Sequence, residues 1–212
     1  MEYYGHIRSE ISPLLPSHAQ RALEVGCGNG GTLAWLKANG VCDEIVGLEY
    51  CHDASEIARQ QLDLVIEGDA EQIDLAQLGQ FDLILCLDVL EHLRDPWALL
   101  KRLKQLLKPN GQIIVSVPNI QHHSVVLPLL FHGRWQYQAA GILDRTHLRF
   151  FTQATAQELL SQAGFKVEQC TGLGQQWAKS RFWRWLGKTA WATPLCSVQY
   201  LLSAHNTTAT SH

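Results

Sequence analysis

The hydrophobic positions of this chain form short continuous runs that alternate with amphipathic segments. Between the runs, apolar residues recur at helical spacing, as at Trp97, Leu100, Leu103 and Leu107. Short apolar runs predict strands buried on both faces, and strands that alternate with helices predict a mainly parallel sheet. The first five predicted strands cover residues 21–25, 44–49, 64–67, 81–87 and 112–119.

Residues typical of helix ends mark the boundaries between these runs. Asp95-Pro96 offers an N-cap acceptor followed by proline at the first helical position, and residues 53–56 have the spacing of a capping box. Thr152 is predicted to cap a helix that stops at Gly164. A turn is predicted at 108–111, a sixth strand over 165–170 and a seventh over 196–202.

The first predicted strand runs into a glycine-rich turn, which reads EVGCGNG over residues 24–30 and leads directly into a helical pattern. Glycines let a ligand approach the backbone where a Cβ would collide, and the helix that follows directs free N–H groups at the ligand. The turn therefore predicts a nucleotide-cofactor site. Gly26, Gly28 and Gly31 also fit the dinucleotide fingerprint, so this motif alone does not identify the cofactor.

Acidic residues follow the next three strands. Glu49 ends the second strand 19 residues after Gly30, where a ribose-binding acid is expected. Gly68-Asp69-Ala70 follows the third strand, and the sequence DVLEH (88–92) follows the fourth. Because parallel strands present their carboxyl ends at one edge of a sheet, these residues are predicted to line one cleft.

This ordered set of motifs resembles the class I S-adenosylmethionine-dependent methyltransferases over roughly residues 20–170. The resemblance implies a Rossmann-like, doubly wound α/β fold. Its seven-stranded mixed sheet would have the order 3-2-1-4-5-7-6 with strand 7 antiparallel. It also implies S-adenosyl-L-methionine as the cofactor.

The same resemblance assigns roles to single residues. Glu49 would bind the ribose hydroxyls. Asp69 would accept from the adenine amino group while Ala70 donates through its backbone, and Asp88 would lie at the methionine end beside the substrate. The residues that would lie along the methionine moiety are Glu24, Gly26, Gly28 and Gly30.

Two other functions compete with this interpretation. An NAD-dependent dehydrogenase would share the glycine turn and Glu49, but it would not be expected to carry GDA at 68–70 and DVLEH at 88–92. A non-catalytic binding or scaffold protein could retain the fold. The intact glycines, Glu49 and Asp69 favour the enzyme, which we expect to methylate an oxygen of a sugar or of another small or lipid-linked metabolite.

The longest stretch between predicted strands covers residues 119–151 and is rich in aromatic and polar residues. A connection of this length is typically a lid or a binding segment. Its run LDRTHLRFFT (143–152) resembles one found in a bacterial methyltransferase subfamily often associated with surface-polysaccharide and other glycan biosynthesis. That resemblance implies a small-molecule or glycan acceptor and does not identify it.

Histidines are the candidate catalytic residues. Methyl transfer is an in-line displacement, so catalysis consists mainly of aligning the acceptor and, for a hydroxyl, of taking its proton. His147 and His92 suit that base, and Asp144 or Glu91 could orient an imidazole. Alternatively, the run Asp144 to His147 only pins its own loop.

Substrate ligands and a metal site are further candidates. Asp144, Arg145 and Arg149 are predicted to bind the substrate, because guanidinium groups match phosphate or carboxylate; internal ion pairs are the alternative. The DVLEH sequence resembles the Glu-x-x-Glu-His sequence with which some quinone and RNA-end methyltransferases hold a divalent ion. Asp88 departs from that pattern, and we expect no metal.

Composition and charge constrain the partners. A chain of 212 residues that is 46% hydrophobic suits one domain over residues 1–205, with a flexible tail at 206–212. A net charge of −3 argues against nucleic acid. The start of the chain has no basic or apolar signal, so a cytoplasmic protein is expected.

One C-terminal segment departs from this average. Residues 175–195 are basic and tryptophan-rich, and no acidic residue follows Glu168. A helix over 177–191 could touch the inner membrane peripherally; the alternative is that it packs on the sheet or on a second subunit of a homodimer.

Overall fold

The computed structural model describes residues 5–174, 185, 189 and 192–206. Its one sheet has the order β3-β2-β1-β4-β5-β7-β6, in which β7 is antiparallel to β5 and β6 and the other pairs are parallel. This result confirms the predicted fold class and strand order. The strands are β1 (Ala19–Val25), β2 (Cys42–Glu49), β3 (Leu64–Glu67), β4 (Phe81–Leu87), β5 (Leu107–Pro118), β6 (Phe165–Leu173) and β7 (Gln199–Asn206).

Helices connect most of the strands, and two of the predicted caps are present. Asp95 accepts a hydrogen bond from the backbone of Ala98, and Thr152 accepts one from Thr155. Short 3₁₀ turns lie at Ser9–Leu14, Ala76–Leu78 and Leu90–His92. The helices are α1 (Gly31–Ala38), α2 (His52–Ala58), α3 (Pro96–Leu106), α4 (His123–His132), α5 (Gln153–Gln162) and α6 (Thr193–Cys196).

Three boundary predictions are wrong. The α2 helix begins at His52 without a side-chain cap, so residues 53–56 form no capping box. Cys196 ends α6, and β7 therefore begins only at Gln199. The predicted turn at 108–111 lies inside β5, where Asn110 adopts a φ of 64° and the pairing with β4 shifts register.

The core occupies both faces of the sheet. In β4, Ile84 packs into the cluster that contains the buried residues of α3 and α5, and Leu83 and Leu85 pack into the cluster that contains those of α1. Successive side chains of a strand point to opposite faces, so a strand covered on both sides must be apolar at every position. The continuous apolar runs in the sequence have this cause.

The topology brings the candidate residues together. β1 lies between β2 and β4, so the strand order reverses beside β1, and α/β sheets bind ligands at the carboxyl ends of strands at such a point. The insertion that follows β5 returns to this edge. Its ends are joined where the backbone N–H of Ile120 donates to the carbonyl of Phe151 over 2.9 Å.

Some predictions fall on other parts of the chain. Most of the tryptophan-rich segment (175–195) and the tail beyond Asn206 lie outside the described residues, and Asn206 itself ends β7. None of the helices within the described ranges combines the length and the apolar character that a membrane crossing requires.

Candidate active site

Two adjoining cavities open at the carboxyl edge of the sheet, with volumes of about 550 and 1180 Å³. Asp69 and Ala70 line the smaller cavity, whereas Glu24, Asp88 and Arg145 line the larger one. The two cavities form one cleft because they share several wall residues, namely Gly26, Glu49, Tyr50, Val89 and His92.

The glycine turn forms one wall of this cleft. Gly26 adopts a φ of 69°, in the left-handed region, and a Cβ added there would lie 2.5 Å from Cγ2 of Val89. Any other residue would therefore strain the backbone and collide with the segment that follows β4. Gly30, with a φ of 83°, is the N-cap of α1.

Glu49 is buried and held by two backbone groups. One carboxylate oxygen accepts from the N–H of Gly28 over 2.8 Å, and the other accepts from the N–H of Cys51 over 2.8 Å. A carboxylate offers about four acceptor positions, so about two remain for a ligand. The residue is thus fixed in place and still able to accept a pair of hydroxyl groups.

Glu24 is buried beneath the glycine turn, and its Oε2 has no hydrogen-bond partner within the described ranges. Burial raises the pKa of this carboxyl to about 8, with Arg8 lowering it and Glu49 adding to the rise. A buried polar atom without a partner is costly unless a ligand satisfies it. A cationic amino group at the methionine end of the cofactor has the donors that Glu24 lacks.

Asp88 follows β4 in a left-handed conformation, with a φ of 56°. Its Oδ2 accepts from the guanidinium of Arg8 over 2.6 Å, and its Oδ1 accepts from the hydroxyl of Ser116 over 2.9 Å and from the amide of Gln199. These three partners were not predicted from the sequence. Ser116 lies near the end of β5, where a polar residue in an apolar run is a signal, whereas nothing local indicates Arg8 or Gln199.

His92 and His147 meet edge to face, with ring centroids 4.7 Å apart. Nδ1 of His92 lies 3.3 Å from the carbonyl of Thr146, and Nδ1 of His147 lies 3.1 Å from the carbonyl of Ile142. Since a carbonyl only accepts, this geometry assigns the proton to Nδ1 in each ring, and Nε2 is then the nitrogen that can accept a proton. Burial, and next the neighbouring His147, lower the pKa of His92, which favours its neutral form.

Glu91 lies beside these rings and is 1% exposed. Neither carboxylate oxygen has a hydrogen-bond partner in the part of the chain that is described, and burial raises the pKa of the group well above its ordinary value. One ligand atom each from Glu91, His92 and His147 all lie within 4.8 Å of one another. These three residues could hold a divalent metal ion, whereas Asp88, which the sequence pattern suggested, instead pairs with Arg8.

The insertion is tied to this region through backbone bonds. The carbonyl of Glu91 accepts from the N–H groups of Leu148 and Arg149, over 2.7 and 2.9 Å. Only His92 of the two histidines lines the cleft among the described residues; His147 is buried behind it. His147 is therefore placed to position His92 rather than to touch an acceptor.

Two of the three predicted substrate residues line the cleft, and the third does not. Arg145 is exposed and lines the larger cavity together with Asp144. Arg149 is on neither wall, because its guanidinium lies 5.8 Å from the ring centroid of Trp97 and donates to the carbonyl of Arg94. The prediction that Arg149 binds the substrate therefore has no support in this geometry.

Asp144 does not orient an imidazole through a direct bond. Its Oδ1 accepts from the backbone and the hydroxyl of Thr146, over 2.8 and 2.7 Å, so it closes its own turn. Burial opposes ionisation, but the bonds from Thr146 together with the nearby His147 and His92 lower the pKa of Asp144. The backbone of Ile142 orients His147 instead.

Aromatic side chains gather next to the histidines. The rings of Trp135 and Phe150 lie 5.2 Å apart, Tyr137 is 6.5 Å from each, and His147 is 6.4 Å from Phe150. These rings lie next to His147, outside the residues that line the two cavities, whose walls also include apolar side chains such as Leu48 and Val89.

Comparisons with known proteins show the family of this chain. A methyltransferase-domain family model matches residues 2–170. The ubiquinone biosynthesis O-methyltransferase of Thiobacillus denitrificans is 30% identical over 183 residues, which cover 77% of this chain and 75% of that protein.

Solved structures share the fold. An S-adenosylmethionine-dependent methyltransferase from Archaeoglobus fulgidus superposes with a TM-score of 0.66 at 17% identity, covering 93% of this chain and 91% of that one. The N-methyltransferase NodS of Bradyrhizobium japonicum, solved with S-adenosyl-L-homocysteine, gives a TM-score of 0.60 at 15% identity, covering 95% and 83%. The chain belongs to the S-adenosylmethionine-dependent methyltransferases.

Proposed function

We propose that this methyltransferase methylates a hydroxyl group of a small aromatic molecule. The observation that carries the proposal is His92, which lines both cavities and whose Nδ1 lies 3.3 Å from the carbonyl of Thr146. The rings of Trp135, Tyr137 and Phe150 gather beside His147, which packs on His92, and these aromatic surroundings favour a flat acceptor. The printed name of the Thiobacillus relative, an O-methyltransferase of ubiquinone biosynthesis, favours such an acceptor over the glycan that the 143–152 run suggested.

The cofactor would lie along the cleft in the order that the family resemblance implies. Glu49 would bind the ribose hydroxyls, Asp69 and the backbone of Ala70 the adenine, and Glu24 the amino group of the methionine moiety. Arg8 provides a positive charge near the glycine turn that suits the methionine carboxylate. When bound, S-adenosylmethionine supplies an electrophilic methyl group on a sulfonium.

The protein's own part in the reaction is to align the acceptor and remove its proton. His92 would take the hydroxyl proton on Nε2, while the carbonyl of Thr146 holds its Nδ1 proton in place. Asp144 and Asp88 lie close enough to favour the resulting imidazolium. A general base of this kind contributes about 10² to 10⁴ in rate.

The test combines an acceptor survey with one variant. Purified protein is offered catechols, other phenols and sugars, and methyl transfer is measured. We expect transfer to a phenolic oxygen, a loss of about 10² to 10⁴ in turnover in His92→Gln, and unchanged S-adenosylhomocysteine affinity. His18→Gln is the matched control, because His18 is on the surface and pairs with Asp43. Transfer to sugars alone, or full turnover in His92→Gln, would contradict the proposal.

A second candidate mechanism follows from Glu91. The Glu91 carboxyl has no hydrogen-bond donor among the described residues, and it offers a ligand atom together with His92 and His147. Such a set suits a divalent cation, which would polarise the acceptor oxygen in place of a base. Chelator treatment separates the two mechanisms. Activity that is lost with chelator, restored by Mg²⁺, Mn²⁺ or Zn²⁺, and absent in Glu91→Gln favours the metal; activity that survives the chelator favours His92 as the base.

A further inference from the structure

The helix α4 is unusually apolar for a helix with only one buried residue. It contains apolar residues on every side, among them Val125, Leu129, Leu130 and Phe131, yet Val125 is its only buried residue. Leu130 and Phe131 are each 70% exposed. A helix that is apolar all round is normally buried in a protein core or in lipid.

The exposed surface continues beyond the end of α4. Residues 129–141 are exposed without interruption, and they include Trp135 and Tyr137 at 37% and 51%. We call the set Leu129, Leu130, Phe131, Trp135 and Tyr137 the apolar face. Its members are close in the sequence, and several large exposed apolar residues within so short a segment mark a contact site, whereas single exposed apolar residues are ordinary.

The charge around the apolar face indicates what it contacts. No acidic residue lies between Asp95 and Asp144, and His132 and Arg134 are exposed within the face. Tryptophan and tyrosine next to basic residues and large aliphatic side chains are typical of a segment lying in the headgroup layer of a bilayer. Because this stretch of the sequence contains no carboxylate, it would not be repelled by an anionic lipid surface.

We propose that the apolar face docks this enzyme on an anionic lipid bilayer. The face lies beside the cleft, because Ala139 and Arg145 from the same insertion line the larger cavity and Leu148 lines the smaller one. Docking there would bring the mouth of the acceptor site to the lipid surface, where an amphiphilic acceptor is concentrated. The proposal does not depend on the atom methylated, and it rests on residues other than 177–191.

Vesicle flotation tests it with the full chain. Vesicles of phosphatidylglycerol and phosphatidylcholine should carry the wild-type protein at low salt, and vesicles of phosphatidylcholine alone should carry much less. The double variant Leu130→Ser, Phe131→Ser should bind about tenfold more weakly or worse, because two large apolar side chains no longer enter the lipid. Arg134→Ser should lose about fivefold at low salt and little at high salt.

The matched control is Ile57→Ser, which removes another exposed apolar side chain, 41% exposed on α2. It should bind vesicles like the wild type. Every variant must keep the wild-type melting temperature and S-adenosylhomocysteine affinity, so that a loss of flotation reports docking and not unfolding.

Four results would overturn the proposal. The wild-type protein could fail to float at low salt, or the double variant could float unchanged. Neutralising Lys179, Arg181, Arg184 and Lys188 could abolish flotation while the double variant keeps it, which would assign membrane contact to the other segment. Sedimentation could instead reveal a dimer that the double variant dissociates, which would make the apolar face a contact between two copies.

Discussion

The part of the cleft proposed to hold the cofactor (the cofactor side) and the part proposed to hold the acceptor (the acceptor side) are built in different ways. On the cofactor side, Gly26, Glu49 and Asp69 each lie at or within two residues of the end of a parallel strand, so the sheet sets their positions. On the acceptor side, His147 and Arg145 belong to the insertion after β5, which is held by backbone bonds to Glu91 and by its joined ends. A strand end determines where its neighbouring residues lie, and an insertion does not.

Electrostatics differ between the sides as well. Among the residues that the structure describes, the buried Oε2 of Glu24 on the cofactor side has no partner, which suits a cationic group, and Glu49 accepts from two backbone groups and keeps further acceptor positions. On the acceptor side, Asp144 and Arg149 are engaged with their own surroundings. Substitutions on the two sides should therefore change different measured quantities.

The largest expected effect concerns Glu24 and pH. Its pKa is about 8 in the folded protein and 4.5 ordinarily, so the folded state binds more protons between these values and stability falls as pH rises through that window. Ionisation of Glu24 should lower the free energy of unfolding by on the order of 4 kcal/mol above pH 8, and Glu24→Gln should remove that loss.

Urea unfolding at about pH 5 and about pH 8 measures this difference. Glu91 titrates in the same direction, so Glu91→Gln serves as the comparison and the double variant should be the least pH-dependent. If the free energy of unfolding changes equally between the two pH values in the wild type and in Glu24→Gln, then Glu24 is not held without a partner. Saturating S-adenosylhomocysteine should make this change smaller if its amino group donates to Glu24.

A smaller effect is expected for Glu49. Glu49→Gln should weaken S-adenosylhomocysteine binding by roughly tenfold or more, because charge-assisted bonds contribute ~1.5 to 3 kcal/mol. Calorimetry on the wild type, on this variant and on Asp43→Asn measures it; Asp43 is an exposed acid of the same strand. An affinity that Glu49→Gln leaves intact would remove the ribose assignment.

The two arginines of the insertion give the smallest effect and the sharpest contrast. Arg145→Met should raise the KM of an acidic acceptor by about tenfold and leave stability unchanged, since its guanidinium lines the cavity. Arg149→Met should leave KM unchanged and cost about 1 kcal/mol of stability, because its contacts with Trp97 and the carbonyl of Arg94 are lost. Kinetics and urea unfolding of both variants distinguish the roles, and the reverse pattern would refute them.

The sequence by itself determined the fold of this protein and indicated the residues that line the proposed cofactor side. The signals are local features of the sequence: continuous apolar runs, the glycines that a left-handed turn requires, and the acids at strand ends. The strand order was predicted from the family resemblance that these features carry. The start of β7 and the turn at 108–111 were predicted wrongly, because the short α6 helix and the irregular pairing of β5 depend on neighbouring strands.

Only the tertiary structure decided the acceptor side. In the folded chain, His92 lies on the cleft wall with His147 behind it, and Glu91 is buried beside both rings. Arg149 packs on Trp97. Arg8 and Gln199 both donate to Asp88. The bond from Arg8 to Asp88 joins residues 80 positions apart, and the bond from Gln199 to Asp88 joins residues 111 positions apart. Their geometry depends on how the insertion, the N-terminal turn and β7 pack on the sheet, and no local pattern of residues encodes that packing.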